Sequence, residues 1–361
     1  MIPASDGRIY LLRGEASGDF AVSDAPAVRS LLRALDGSRT ADEVACIVAE
    51  RHEATNTSEA LDAIQQLAEL GLVEDAGGEE ALPKPARARY ERQLRYFSEL
   101  VGPGQSRVEP QIRLGEAHVV LLGTGGLGSW AAFALACSGV GRIDVIDGDR
   151  VETSNLNRQI LFAQSDVGEL KAVVAQRTLE RFNPLIDVRA VPERLEDADA
   201  VAAVIDGADL VVDAADWPAH QLERWVNTAC FAQRVPFITM SQLPPLARLG
   251  PLYVPGLTGC YECVEAEHRA RHPLYDELAA GKGLVSSPAA TFGPGCGVIG
   301  SQIAMDAVHF LTGLVEPGTL GCALFMDMRT MNFTREPVPK RQDCPVCRDA
   351  SVTRRKDLAL S

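Results

Sequence analysis

Basic side chains are scarce here: 35 Lys and Arg face 49 Asp and Glu, a formal charge of −14. Proteins that work on duplex nucleic acid or on an anionic membrane normally carry the opposite balance, so neither partner is expected. Long apolar runs are missing as well. None approaches a membrane-spanning helix, and residues 1–6 lack the basic segment that opens a signal peptide. Repeats and low-complexity tracts are absent. With 46% hydrophobic and 23% charged residues, disordered, collagen-like and coiled-coil readings also fall away. A disulfide framework is not expected, because the nine cysteines are odd in number and accompany no secretory feature. Four of them form two tight pairs, Cys260/Cys263 and Cys344/Cys347. That pattern suits metal binding in a reducing, cytoplasmic compartment.

A chain of 361 residues can bury a full core and form two or three domains. The pattern divides near residue 80. Short strands are expected at 9–13 and 20–22, then a helix over 25–35. Thr40 and Glu43 have capping-box spacing for a helix ending near His52. A third helix over 58–70 sets Leu61, Ile64, Leu67 and Leu70 on one face and stops at Gly71, before a closing strand at 72–75. These elements predict a small winged-helix-like α+β domain over 1–80, a linker over 81–88 and a second domain over 89–361. In the second domain, strands at 118–122, 142–147, 188–191, 210–213 and 237–240 alternate with helices at 127–138, 171–182 and 217–231. Such alternation predicts α/β architecture, a Rossmann-like and mainly parallel sheet with helices on both faces.

Gly123, Gly125, Gly126 and Gly128 form a GxGxxG loop between the first of these strands and its helix. Glycines let the backbone approach phosphate oxygens, and the helix N-terminus adds a positive dipole end. Asp147 and Asp149 come after the next strand, where an acid can hold ribose hydroxyls. A dinucleotide site for NAD or FAD explains these features equally well. The next stretch of chain favours a triphosphate: Asn155-Leu156-Asn157-Arg158-Gln159, then Lys171, supply amides and cations that hydride transfer does not need. Asp213 and Asp216 end a later strand, where a carboxylate can hold Mg²⁺.

Together with Arg89-Tyr90-Glu91-Arg92-Gln93 and the two Cys pairs, these ordered motifs resemble the ThiF/MoeB/HesA superfamily of ATP-dependent adenylating enzymes. The resemblance spans about 89–347. It implies that Gly125 and Gly126 line the nucleotide site and that Asp149 binds the ribose. Asn157, Arg158 and Lys171 would contact the phosphates, and Asp216 would ligate Mg²⁺. Arg92 would reach into the ATP site of a second subunit, which implies a homodimer. Trp217 stands where the family usually has Asn, a departure that bears on the substrate side of the pocket.

Cys260/Cys263 and Cys344/Cys347 are two CxxC knuckles with 80 residues between them. Two knuckles can complete a closed tetrahedral shell of four thiolates, which points to a structural zinc ion; redox chemistry is the alternative. Cys46, Cys137, Cys230 and Cys322 sit among apolar neighbours and read as core residues. Cys296, just before a helix expected over 298–311, reads as packed, with a catalytic thiol as the alternative. The crossover segment 264–294 has no cysteine. The six histidines form no triad or metal spacing, and His268 and His272 are expected on a solvated loop.

Residues 1–80, with Leu35-Asp36-Gly37, Thr40 and Leu70-Gly71-Leu72-Val73, resemble the PqqD-like domain that binds precursor-peptide leaders by strand addition. A winged helix can also bind DNA, but no basic recognition helix is present. The leading expectation is therefore adenylation of a carboxylate on a ribosomally made precursor peptide, as in MccB-like members of the superfamily. Activation of a sulfur carrier's C-terminal glycine is the second expectation. A non-catalytic leader-binding partner of a cyclodehydratase is the third.

Overall fold

The computed structural model describes residues 2–12, 19–73, 78–101, 105–218, 221–282 and 290–350. Its contacts divide the chain into two compact units, Met1–Pro110 and Gln111–Ser361.

In the first unit, β1 (Ile2–Pro3), β2 (Arg8–Leu12) and β3 (Asp19–Ser23) form an antiparallel sheet in that order, with Ile9 opposite Val22. Three helices come next: α1 (Pro26–Ala34), α2 (Ala41–Arg51) and α3 (Thr57–Glu69). Pro26 opens α1 at a position where no intrahelical N–H is needed. Capping boxes start the other two, Thr40 with Glu43 and Asn56 with Glu59. The helices bury Leu31, Val44, Val48, Ile64 and Leu67 in one cluster.

Of the closing strand expected at 72–75, the described residues Leu72 and Val73 form a bend instead. Gly71 turns left-handed at φ 65°, and the Leu72 N–H returns 2.8 Å to the Leu67 carbonyl while Gly71 N–H bonds Ala68. This Schellman-type stop folds Leu72 and Val73 back onto the helical cluster as a bend. Residues 74–75 lie outside the described residues. The sheet's third strand is β1. Leu70, expected on the buried face, is 46% exposed because it caps the helix beyond its last regular turn. The stretch 81–88, expected as a linker, takes in the end of a 3-10 turn (Glu79–Ala81) and the start of α4 (Lys84–Ser98).

After α5 (Glu109–Glu116) the chain alternates: β4 (His118–Leu122), α6 (Gly126–Ser138), β5 (Arg142–Ile146), α7 (Lys171–Phe182), β6 (Asp187–Val191), α8 (Ala198–Val204), β7 (Leu210–Asp213), α9 (Gln221–Gln233) and β8 (Phe237–Leu243). An antiparallel half completes the unit, with β9 (Leu246–Tyr253), α10 (Tyr261–Arg271), α11 (Tyr275–Lys282), α12 (Gly293–Thr312), β10 (Cys322–Asp327) and β11 (Asn332–Pro337). The eight-stranded sheet runs β11-β10-β9-β8-β7-β4-β5-β6. The five strands from β8 to β6 are parallel neighbours, so the sheet is mainly parallel and Rossmann-like. One face of β4 and β7, with Val120, Leu122 and Val211, joins α8, α9 and α10 in a single core. Helices α6, α7 and α12 pack on the sheet from its other face. Strand order reverses at β4, with β5 and β6 to one side and β7 and β8 to the other, which puts a ligand crevice above the C-terminal ends of β4, β5 and β7.

Several expectations are corrected. The helix expected from Trp217 begins at Gln221, and Trp217 lies in a bend, 65% exposed. The helix expected from Val298 begins at Gly293, with Pro294 in its first turn. The crossover segment carries α10 and α11, so His268 is helical and lies 5.4 Å from the Tyr275 ring. His220 falls outside the described residues. Cys46 and Cys137 are exposed: each lies on a helix, at a position turned away from neighbours such as Val44, Val48 and Ala136 that the core buries. No described helix is long and apolar enough to cross a membrane.

Thr40→Ala and Asn56→Ala should each cost about 1 kcal/mol, the usual worth of an N-cap. Urea unfolding of the chain with far-UV detection measures this; an unchanged midpoint would show that the caps do not limit stability.

Candidate active site

The glycine loop is held from three sides. Gly123 takes φ 84°, and its N–H bonds the Ile146 carbonyl at 2.8 Å. A Cβ on Gly123 would meet Ala215 Cα at 2.9 Å, and one on Gly128 would lie 2.0 Å from the Gly123 carbonyl oxygen. Both positions therefore exclude any side chain, and this keeps the end of β4, the start of α6 and the end of β7 in contact. Gly125 faces open space: a Cβ there would meet nothing within 4 Å. Loop amides at this point are free to approach a ligand.

Asp147 supplies the second hold. It is 9% exposed, and its Oδ2 accepts from the Thr124 N–H at 2.8 Å and the Thr124 hydroxyl at 2.6 Å. Its Oδ1 accepts from the Asp149 N–H at 2.9 Å. Both oxygens thus serve the loop backbone and Thr124, which leaves Asp149 as the acid that faces the crevice.

Asp149 is half exposed and sits between two cations. Lys171 Nζ lies 3.1 Å from its Oδ2, and Arg194 Nη2 lies 2.7 Å from its Oδ1. Burial raises its pKa, but Lys171 and Arg194 outweigh burial and hold the carboxyl below its usual range. Lys171 opens α7 with a side chain only 9% exposed. Arg194 was not picked out from the sequence.

The 153–159 segment closes the third side. A 3-10 turn (Thr153–Asn155) leads into Asn157 and Arg158. Arg158 Nη1 donates to the Ser154 carbonyl at 2.7 Å and to Asn157 Oδ1 at 2.9 Å. Trp130 Nε1 of α6 donates to the Arg158 carbonyl at 3.1 Å. A Cβ on Gly126 would meet Cys296 Sγ at 2.7 Å and Arg158 Cδ at 3.3 Å. Cys296 is therefore buried in the first turn of α12, directly against the glycine loop. Burial pushes its thiol up, and the nearby Arg158 only partly offsets this.

Asp213 ends β7 and is 3% exposed. Burial, then the Glu223 carboxylate, pushes its pKa up to about 8. Asp216, three residues on, is exposed beyond the strand end. Arg92 lies on α4 in the first unit, 85% exposed with its Nε 3.2 Å from Glu91.

The four paired cysteines converge at the far end of the α8–α10 core. Cys260 caps α10, and its Sγ lies 4.0 Å from that of Cys263 and 3.5 Å from that of Cys344, with 3.4 Å between Cys263 and Cys347. All four are buried, free thiols whose Sγ atoms lie within 4.8 Å of one another. Ligands at a tetrahedral zinc ion are spaced about 3.8 Å apart, so the donor set fits. Burial raises the Cys260 thiol and pushes Cys347 up to about 12. Four thiolates can share this space only around a cation.

The fold and the crevice together define a Rossmann-like unit whose glycine loop is surrounded by charged groups, Asp149 with Lys171 and Arg194, and Arg158. The chain belongs to the ThiF family, which matches residues 90–346. It is 36% identical over 271 residues to the sulfur carrier protein adenylyltransferase of Thermus thermophilus, covering 74% of this chain and 92% of that protein. Among solved structures it resembles PaaA, with TM-score 0.75, 26% identity, and coverage of 94% and 98%. It also resembles E. coli MccB bound to AMPCPP and MccA, with TM-score 0.68, 26% identity, and coverage of 92% and 94%. The protein is an ATP-dependent adenylyltransferase of the ThiF/MoeB kind.

Asp213 makes stability pH-dependent. Its pKa is raised in the folded state, so its contribution is full at acid pH and is lost as pH rises through about 8. Asp213→Asn should gain on the wild type by roughly 1 kcal/mol per pH unit between about pH 5 and pH 8. Urea midpoints across that range test it; a constant difference would show that Asp213 titrates normally.

Proposed function

We propose that the enzyme adenylates a carboxylate on a ribosomally made precursor peptide and that residues 1–80 grip the peptide's leader. Coverage carries this reading. The carrier-protein adenylyltransferase matches only 74% of the chain, whereas MccB and PaaA match 92% and 94% of it, and so have counterparts for most of the first unit. MccB is seen there with both MccA and an ATP analogue. In the first unit, β3 ends the small sheet, and its outer edge can accept an added strand.

In the adenylation step the substrate carboxylate oxygen attacks the α-phosphorus of ATP. The bond to the bridging oxygen breaks, and pyrophosphate leaves with the electron pair. No proton need move, so catalysis rests on positioning and charge neutralisation. Amides of Gly125 and Gly126 approach the phosphates beside Gly123 and Gly128, and Asp149 takes the ribose. Asn157, Arg158 and Lys171 hold the phosphates, Lys171 exchanging its bond to Asp149 for one to phosphate. Asp216 would hold Mg²⁺, which neutralises the departing pyrophosphate. Arg92 of a second copy completes the site in a homodimer. Zinc on Cys260, Cys263, Cys344 and Cys347 is structural. Activation of a sulfur carrier is the second reading, supported by the relative's name and 36% identity.

ATP–pyrophosphate exchange decides between them, using a precursor peptide, its leaderless form and a sulfur carrier. Exchange only with the leader-bearing peptide is expected; exchange only with the carrier would transfer the assignment. Exchange with none of the three would leave a binding role. Arg158→Ala and Asp216→Ala should each cost about 100-fold or more, and undiminished exchange would refute their placement.

Metal analysis of the purified chain should find about one zinc per subunit. Cys344→Ser should lower that content and the thermal midpoint together. An unchanged zinc content would place the ion elsewhere.

A further inference from the structure

Two cations share one carboxylate at Asp149, and only one of them has an assigned task. Lys171, almost buried at the start of α7, holds Oδ2 at 3.1 Å and is placed to turn toward phosphate. Arg194 holds Oδ1 at 2.7 Å from the loop after β6, with a side chain 68% exposed. An exposed ion pair alone would carry little meaning. Here the backbone is shaped around it. A Cβ on Gly148 would strike Arg194 Cγ at 2.6 Å and the Arg194 backbone nitrogen at 3.0 Å. The bare backbone of Gly148 thus lets the arginine stem lie across the turn that carries Asp147 and Asp149. That loop is moored to the same strand ends: the Asp147 and Glu193 N–H groups both bond the Val191 carbonyl, at 3.1 and 2.9 Å.

When phosphates draw Lys171 away, Oδ2 is released to accept a ribose hydroxyl. Asp149 would then swing freely unless its other oxygen stayed fixed. We infer that Arg194 is the positioning residue that keeps Asp149 aimed at the ribose hydroxyls, and so a determinant of preference for ribonucleotides over deoxynucleotides. The inference rests on the proposed ribose role of Asp149 and extends it to a residue outside every motif in the chain.

Calorimetric binding of ATP, 2′-deoxyATP and 3′-deoxyATP tests it without relying on turnover. The proteins are the full chain, Arg194→Ala, Arg194→Lys, Asp149→Asn and the double variant Arg194→Ala/Asp149→Asn. Arg194→Ala should weaken ATP about tenfold, the worth of one charge-assisted hydrogen bond, and weaken at least one deoxy analogue far less. Arg194→Lys should recover part of the loss. The double variant should bind no worse than Asp149→Asn alone, because both residues act on one contact. In pyrophosphate exchange the change should appear in KM for ATP, with kcat nearly constant.

Equal losses for all three nucleotides, or additive losses in the double variant, would overturn the role of Arg194. If Asp149→Asn abolishes ribose preference and Arg194→Ala leaves it intact, the inference about Arg194 fails alone. If Asp149→Asn itself leaves that preference intact, the ribose role of Asp149 fails, and the inference with it.

Discussion

One buried carboxylate sets the geometry on which the crevice depends. Asp147 receives the amide and hydroxyl of Thr124 on one oxygen and the amide of Asp149 on the other. The first pair fixes the glycine loop to the end of β5. The second fixes Asp149. The glycine loop and Asp149 are therefore positioned by the same side chain, and neither can drift without the other. Glycine contacts then lock the arrangement from the opposite side, through Gly123 against Ala215 and Gly126 against Cys296 and Arg158.

The parallel half of the sheet could be read from the chain because most of its strands are apolar runs that alternate with helices. His118–Leu122 and Leu210–Asp213 appear with the expected bounds. The antiparallel half could not. Leu246–Tyr253 carries Arg248 and Pro251, and Asn332–Pro337 is exposed throughout, so neither shows an apolar run. Cys46 and Cys137 were misjudged from their neighbours along the chain, whereas burial on a helix depends on its phase. Leu72 and Val73, expected to open a strand, bend back for a local reason, since a left-handed glycine with back-bonded amides ends the helix by folding the chain upon it. The glycine loop and the cysteine pairs were legible because their spacing is the chemistry. Arg194 was not, because its partner is 45 residues away and only the packing of two strand-end loops brings them together.

The paired cysteines answer a weakness in the antiparallel half. Strand β11 lies at the sheet edge with every residue exposed, and the chain beyond it rejoins the core through Val338, Val346 and the second cysteine pair. The chain is drawn back onto the body: Lys340 Nζ reaches the Gly256 carbonyl at 2.9 Å, and Gly259 leaves no room for a Cβ beside Pro339. The second knuckle then meets the first at the cap of α10. Because these thiols belong to the same core as Val120 and Val211, order at the knuckles extends to the strands that carry the crevice.

The position of Cys296 bears on what becomes of an acyl-adenylate. A helix N-terminus lowers a thiol's pKa, and Arg158 acts in the same direction, yet burial outweighs both and raises it. The sulfur is enclosed between Gly126 and Gln242, whose Oε1 lies 3.5 Å away. With the sulfur fully buried, an acyl group could reach it only if the groups packed around it moved. The crossover segment 264–294 carries no cysteine either, so on the proposed reading the acyl-adenylate passes to an acceptor from outside the enzyme or within the substrate.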